Sequence, residues 1–289
     1  MKHALTIMAI VSITALLATT ANDAKADLAE GFDEALAADE RSEKNSNRDA
    51  ARMPKEVLEF VGIEAGMTVL DVAAGAGWYT EVLSAAVGSQ GHVISHNSFG
   101  YGPRNAETVA AIAQRGGNIT MLFAAYGRFR LDNEVDAAIT GLNLHDFQNR
   151  SAEEAQVFLG GIFRALKPGG VLGLTDHEGS PGRDNATLHR IRLSTAIVAL
   201  EDAGFLVEAT ADLLNNPHDD HTLIYSDESL GRNTDRILIR ARKPQQEVLA
   251  ASNVAMQSAR RLLIPNMPGA AAGQIAPALC AAPVSSPGD

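Results

Sequence analysis

The stretch VLDVAAGAGWYTEVL, Val69–Leu83, constrains the fold of this chain more than any other. A short apolar run ends at an acid, a turn of small residues follows, and an amphipathic segment begins at once. Apolar runs of this length bounded by turn residues read as strands buried on both faces, the kind found in parallel sheets. Gly75 and Gly77 lack the Cβ atoms that would block a close approach of ligand to backbone. A helix starting directly after such a turn aims its free N–H groups into the space beyond the strand. A parallel strand also obliges the chain to return over the sheet through a crossover, so strands and helices should alternate.

They do. Residues 27–39 read as a helix followed by a loop, and Pro54–Val61 as a short helix with proline in its first turn. Strands are expected at Thr68–Val72, Gly91–His96, Asn118–Ala124, Val135–Leu142, Val171–Thr175, Phe205–Ala211 and Arg236–Ala241. Helices are expected at Trp78–Val87, Ala106–Arg115, Ala152–Leu166 and Ala186–Ala203. Ser151 and Glu154 have the spacing of a capping box, and Lys167-Pro168-Gly169-Gly170 breaks the helix that follows. The last two strands are joined by a loop with no helical pattern, which suits an antiparallel hairpin. The expected fold is α/β: a Rossmann-like, seven-stranded, mostly parallel sheet with helices on both faces.

The ends of the chain differ from this body. Lys2, the uncharged run Ala4–Ala18 and Ala24-Lys25-Ala26 follow the pattern of a cleavable signal peptide over residues 1–26. Residues 27–53 form an N-terminal helical segment, 54–244 the main domain, and 245–289 a C-terminal helix and an Ala-, Gly-, Pro- and Ser-rich tail expected to be disordered. The expectation is a periplasmic or secreted protein with no stable membrane insertion after cleavage; a retained anchor is the alternative. A formal net charge of -11 argues against a nucleic-acid surface. Cys280 is the only cysteine, so no internal disulfide forms.

A dinucleotide turn wants a third glycine or small residue, where Trp78, Tyr79 and Thr80 stand. A nicotinamide reading is therefore weak. Asp71 before the turn suits a cationic amine better than a pyrophosphate.

The segment VLDVAAGAG resembles the first motif of class I S-adenosylmethionine-dependent methyltransferases. The likeness continues through GHVISHN, NITMLF, EVDAAITGLNLHDF and IFRALKPGGVLGLTDH, covering roughly Pro54 to Pro244. With TLHRI and TDRILIRARKP, these motifs are similar to a little-characterised group of exported bacterial predicted methyltransferases. The resemblance implies S-adenosylmethionine as cofactor, a small-molecule acceptor, and transfer of a methyl group. It implies cofactor contacts at Asp71, Ala73, Gly75, Gly77 and Trp78, with Asn97 beside the ribose, Tyr126 by the adenine and Asn143 after the fourth strand. Asn97 and Ala125 stand where many members of the class carry acids. LHDF resembles a plant O-methyltransferase segment whose histidine is a general base, which assigns that role to His145 with Asp146 as its orienting group.

Other polar clusters have bland alternatives. Asp176, His177 and Glu178 read as acceptor-pocket groups or ordinary loop residues. His218, Asp219, Asp220 and His221 read as a solvated loop rather than a metal site, so no metal is assigned. His189 reads as a satisfied, half-buried histidine. Trp78 and Tyr79 pack either on cofactor or on the N-terminal segment, and Arg41, Asp49 and Arg52 belong to a lid or to a solvated charge run. A non-catalytic envelope protein retaining the fold is the competing function.

Overall fold

In a computed structural model the described residues are 26–245, save Tyr101. Four short helices come first: α1 (Phe32–Leu36), α2 (Glu43–Ser46), α3 (Asp49–Arg52) and α4 (Pro54–Val61). The alternating body is β1 (Thr68–Val72), α5 (Trp78–Val87), β2 (His92–Asn97), α6 (Gly102–Gly116), β3 (Ile119–Phe123) and β4 (Val135–Gly141). It continues with α7 (Leu144–Gln148), α8 (Ala152–Ala165), β5 (Leu166–His177), α9 (Leu193–Asp202), β6 (Leu206–Thr210) and β7 (Arg236–Arg242).

The strands form one sheet in the order β3-β2-β1-β4-β5-β7-β6. The first five are mutually parallel, and β7 runs antiparallel to both β5 and β6. This is the expected seven-stranded Rossmann-like sheet with an antiparallel end. Alternate residues of each strand feed two cores. Leu70, Val72, Ala138 and Leu172 face α8 and α9 through Phe158, Leu159, Ala196 and Leu200. Val69, Ala137, Ile139 and Leu238 face α4 and α5 through Leu58, Val61, Val82 and Leu83. Asp71 shares the parity of Val69, so its side chain enters the α5 layer.

Several boundaries differ from expectation. The segment 27–39 is helical only over Phe32–Leu36, and the loop after it contains α2 and α3. Lys167–Gly170 follows the end of α8 at Ala165 as expected, but β5 starts at Leu166 rather than Val171, so these residues lie within the strand as a bulge: β4 pairs through Val135 with Leu166 and then through Ala137 with Val171. Helix α9 begins at Leu193, not at Ala186. Glu178 and Ile191 form a parallel bridge, and the buried Arg190 guanidinium bonds the carbonyls of Glu178 and Leu223. Those fixtures hold the preceding residues in turns. α7 was not anticipated; it places His145 and Asp146 on a helix rather than at a strand end.

The expected signal segment (1–26) and C-terminal helix and tail (245–289) lie outside the described residues, Ala26 and Gln245 apart. Among the described residues, no helix is long and apolar enough to cross a membrane.

Candidate functional site

The turn after β1 has three residues in the left-handed region: Ala73 (φ 58°), Gly75 (φ 59°) and Gly77 (φ 84°). The chain reverses over four half-buried residues, 73–76, and enters α5 with Gly77 at its N-cap. Gly77 is required by more than the turn, since a Cβ there would lie 3.0 Å from Ile112 Cδ1 on α6. The Ala74 N–H donates to the His96 carbonyl at the end of β2 (2.9 Å).

Asp71 does not open into the space beyond the turn. It is 1% exposed. The Thr80 hydroxyl donates to its Oδ2 (2.6 Å) and contacts Ser95 Oγ (2.8 Å). Burial pushes its carboxyl up to about 7, against the pull of the Thr80 bonds. Asn97 is likewise engaged: it accepts from the Gly75 N–H (2.9 Å) and donates to the Gly75 carbonyl (3.0 Å). The residue at the tip of β2 thus pins the glycine turn. Tyr126 packs edge-on against His96 and Phe147. Asn143 donates to the Gly141 carbonyl (2.7 Å) and to Thr140 Oγ1 (3.2 Å), at the neighbouring strand end.

The N-terminal segment is clasped onto α5. Glu81 accepts from Arg41 Nε (3.0 Å), Asn45 Nδ2 (3.0 Å) and Arg115 Nη2 (2.6 Å). Arg41 also pairs with Asp49, and Trp78 Nε1 donates to Asp49 Oδ1 (2.9 Å). The Arg52 guanidinium lies over the Trp78 ring at 4.6 Å. These charges are therefore a packed network rather than a solvated run. Both aromatic side chains are buried: Trp78 is held by the N-terminal segment, and Tyr79 lies across Gly141, where a Cβ would be 2.7 Å from its Cε2. A narrow cleft beside them is lined by Arg52, Tyr79, Gly141, Thr175 and Arg236.

At the C-terminal ends of β4 and β5 the structure collects a second group. Gly141 pairs with Thr175 in register, which brings the residues just beyond them together. His145 Nδ1 meets Asp176 Oδ1 at 2.6 Å, and the His145 main-chain N–H donates to Asp176 Oδ2 (2.8 Å). On the other side of the ring, His145 Nε2 lies 3.4 Å from Asp146 Oδ1, an oxygen that also meets His189 Nδ1 at 3.2 Å. Burial lowers the His145 pKa, but the bonds to Asp146 and Asp176 outweigh it and raise it to about 10. Its neighbour His177 goes the other way. Burial, then the charges of His145 and nearby arginines, lowers it to about 2, so it is neutral and bonds Thr234 Oγ1 (2.6 Å). Tyr225 stacks on His177 at 4.9 Å.

The carboxylate nearest the His145 ring is therefore Asp176, and Asp146, the group expected to orient that ring, contacts the opposite nitrogen. Sequence placed both on one sheet edge; only the β4–β5 register pairs Asp176 with His145. Tyr225 carried no sequence signal. The His218–His221 stretch is not simply a solvated loop. Asp219 is buried against Arg190 (2.9 Å), and His221 Nε2 meets Asp235 Oδ2 (2.9 Å).

Comparison with known proteins agrees with this architecture. A family model of protein-L-isoaspartate(D-aspartate) O-methyltransferases matches residues 36–100, the part that holds β1, the turn, α5 and β2. Among solved structures, an S-adenosylmethionine-dependent methyltransferase from Aquifex aeolicus is similar, with TM-score 0.52 and 24% identity over 68% of this chain and 93% of that one. The [4+2]-cyclase SpnF is also similar, with TM-score 0.53 and 18% identity over 72% of this chain and 85% of that one. No curated protein matches the chain.

Proposed function

We propose that this chain, by fold a class I S-adenosylmethionine-dependent methyltransferase, transfers a methyl group to a small-molecule acceptor at the C-terminal edge of its sheet. The observation that carries this reading is the Asp176–His145–Asp146 array beside β4, one strand from the glycine turn. Ligands of open α/β sheets bind at that edge.

The residues present fit the cofactor at the turn's main chain and less well at its usual side-chain grips. Ala73, Gly75 and Gly77 keep the bent backbone, and no Gly77 side chain caps the start of α5. Asn97 is committed to Gly75, so a ribose held there must compete with that pair. When bound, S-adenosylmethionine supplies a sulfonium methyl group for direct displacement. The residues of this chain do the rest. The turn positions the donor, Asn143 and Tyr126 border it, and Trp78 is braced from behind by Asp49. His145 takes the acceptor's proton, Asp176 fixes the ring from Nδ1, and Asp146 faces the acceptor. Because two carboxylates keep His145 protonated, the rate of transfer should climb toward alkaline pH. The Lys2–Ala26 pattern supports export, which puts this chemistry outside the cytosol.

Thermal unfolding with S-adenosylmethionine or its demethylated product tests the reading. At 100 times the dissociation constant a ligand adds about 2.7 kcal/mol, or roughly 5–11 °C for a domain of this size. No shift with either compound sinks it. His145→Ala should abolish turnover while the cofactor-induced shift persists.

A further inference from the structure

We propose that His145 Nε2, Asp146 and His189 form a binding site for a divalent transition-metal ion. One donor atom from each lies within 4.8 Å of the others, the sole such group of three among the described residues. The inference goes beyond the methyl-transfer reading and does not depend on it.

The arrangement is built from behind. Asp176 is fully buried. It bonds His145 Nδ1 and also accepts the main-chain N–H groups of His145 and His177, both at 2.8 Å. Holding one ring nitrogen of a histidine on a carboxylate is how proteins fix the tautomer and aim of a metal-binding imidazole. Here it leaves Nε2 turned toward Asp146. The Asp146 oxygen then lies between two imidazole nitrogens, 3.4 Å from His145 and 3.2 Å from His189.

His189 is delivered by a strained backbone. Its φ of 52° is in the left-handed region, which a non-glycine residue occupies at a cost. The next residue, Arg190, is wholly buried and bonded to Asp219 and two carbonyls, so the bend is enforced from the interior. Strain of this kind concentrates where geometry serves a function. Tyr225 walls one side, its ring 5.5 Å from His189 and 6.4 Å from His145. Asp146 and His189 are about half exposed, which leaves the outer side open.

Two imidazoles and one carboxylate with open positions suit a borderline ion, Zn²⁺ foremost, and Co²⁺ or Fe²⁺ by the same donor set. The hard ions Ca²⁺ and Mg²⁺ want oxygen ligands. Imidazole ligates in its neutral form, so an ion and a proton compete for His145 Nε2. In the loaded protein the ion, not the ring, polarises whatever oxygen binds in the open position.

The test uses untagged full-length protein stripped with a chelator, titrated with Zn²⁺ by calorimetry and with Co²⁺ by visible absorption. One ion per chain is expected, with a Co²⁺ band that disappears in His189→Ala. Asp146→Asn is the second variant; the His189 and Asp146 side chains are both about half exposed, and folding of both variants is checked by circular dichroism. Asp176→Asn should weaken binding about 10–100-fold while keeping the stoichiometry. Absence of binding in the wild type, or unchanged Zn²⁺ affinity in both His189→Ala and Asp146→Asn, overturns the proposal. The cofactor-induced thermal shift is read on the same metal-free sample, so failure of the metal site and failure of the methyltransferase reading separate.

Discussion

Asp219→Ala should be among the most damaging single substitutions in the body of this protein. Both Arg190 and Asp219 side chains are 0% exposed, and their contact is 2.9 Å. Asp219 also accepts the N–H groups of Asp235 (2.8 Å) and His221 (3.1 Å), so it ties the 212–235 loop to the start of β7. Removing one partner of a buried ion pair costs about 3–5 kcal/mol, because the other charge stays buried and uncompensated. Arg190 keeps its bonds to the Leu223 and Glu178 carbonyls, which places the loss near the lower end, about 3 kcal/mol. For a domain of this size that lowers Tm by roughly 6–12 °C. Urea and thermal unfolding followed by circular dichroism would read it directly. The double variant Arg190→Met/Asp219→Leu removes both charges and should recover part of the loss, the remainder being the main-chain groups of Asp235, His221, Glu178 and Leu223 that lose their partners. A single-variant loss below about 1 kcal/mol, or a double variant as unstable as the single, would refute the argument from buried charge.

Two further outcomes follow from the site. His145 has a folded pKa of about 10 against an ordinary value near 6.5, so its pairing stabilises the metal-free fold fully below about pH 6.5 and the benefit is lost as pH rises through about 10. The stability gap between wild type and His145→Gln, measured in urea, should therefore shrink as pH is raised; a gap that widens would contradict the assignment. Gly77→Ala combines a φ of 84° with a Cβ 3.0 Å from Ile112 and 3.3 Å from Val109, and should cost about 2 kcal/mol. Unchanged urea stability would show that the turn tolerates a side chain.

The parallel strands were legible because burial on both faces leaves continuous apolar runs. Thr68–Val72 and Trp78–Val87 have the bounds read from sequence alone. Pro54–Val61 likewise follows from its proline start and the glycine that ends it. Interactions between distant residues were not legible. The start of α9 depends on a bridge between Glu178 and Ile191 and on an arginine whose partners lie up to 33 residues away. At the turn, the spacing of Asp71 and Gly75 pointed to a ligand, yet Asp71 turns to Thr80, nine residues on, and Gly75 to Asn97. Strand parity carried part of that answer, since Asp71 shares a face with Val69 and hence with α5. The pairing of His145 with Asp176 is a matter of register between β4 and β5, which no local pattern encodes.

The position of β7 sets the order in which this molecule becomes complete. His177 pairs with Arg236 and Val171 with Arg242, so the border of β5 away from β4 is supplied by almost the last part of the body to leave the ribosome. Until then that strand presents an open, largely apolar rim, and the carboxylate and imidazole at its tip have a neighbour on one side only. Contacts this distant in sequence form slowly.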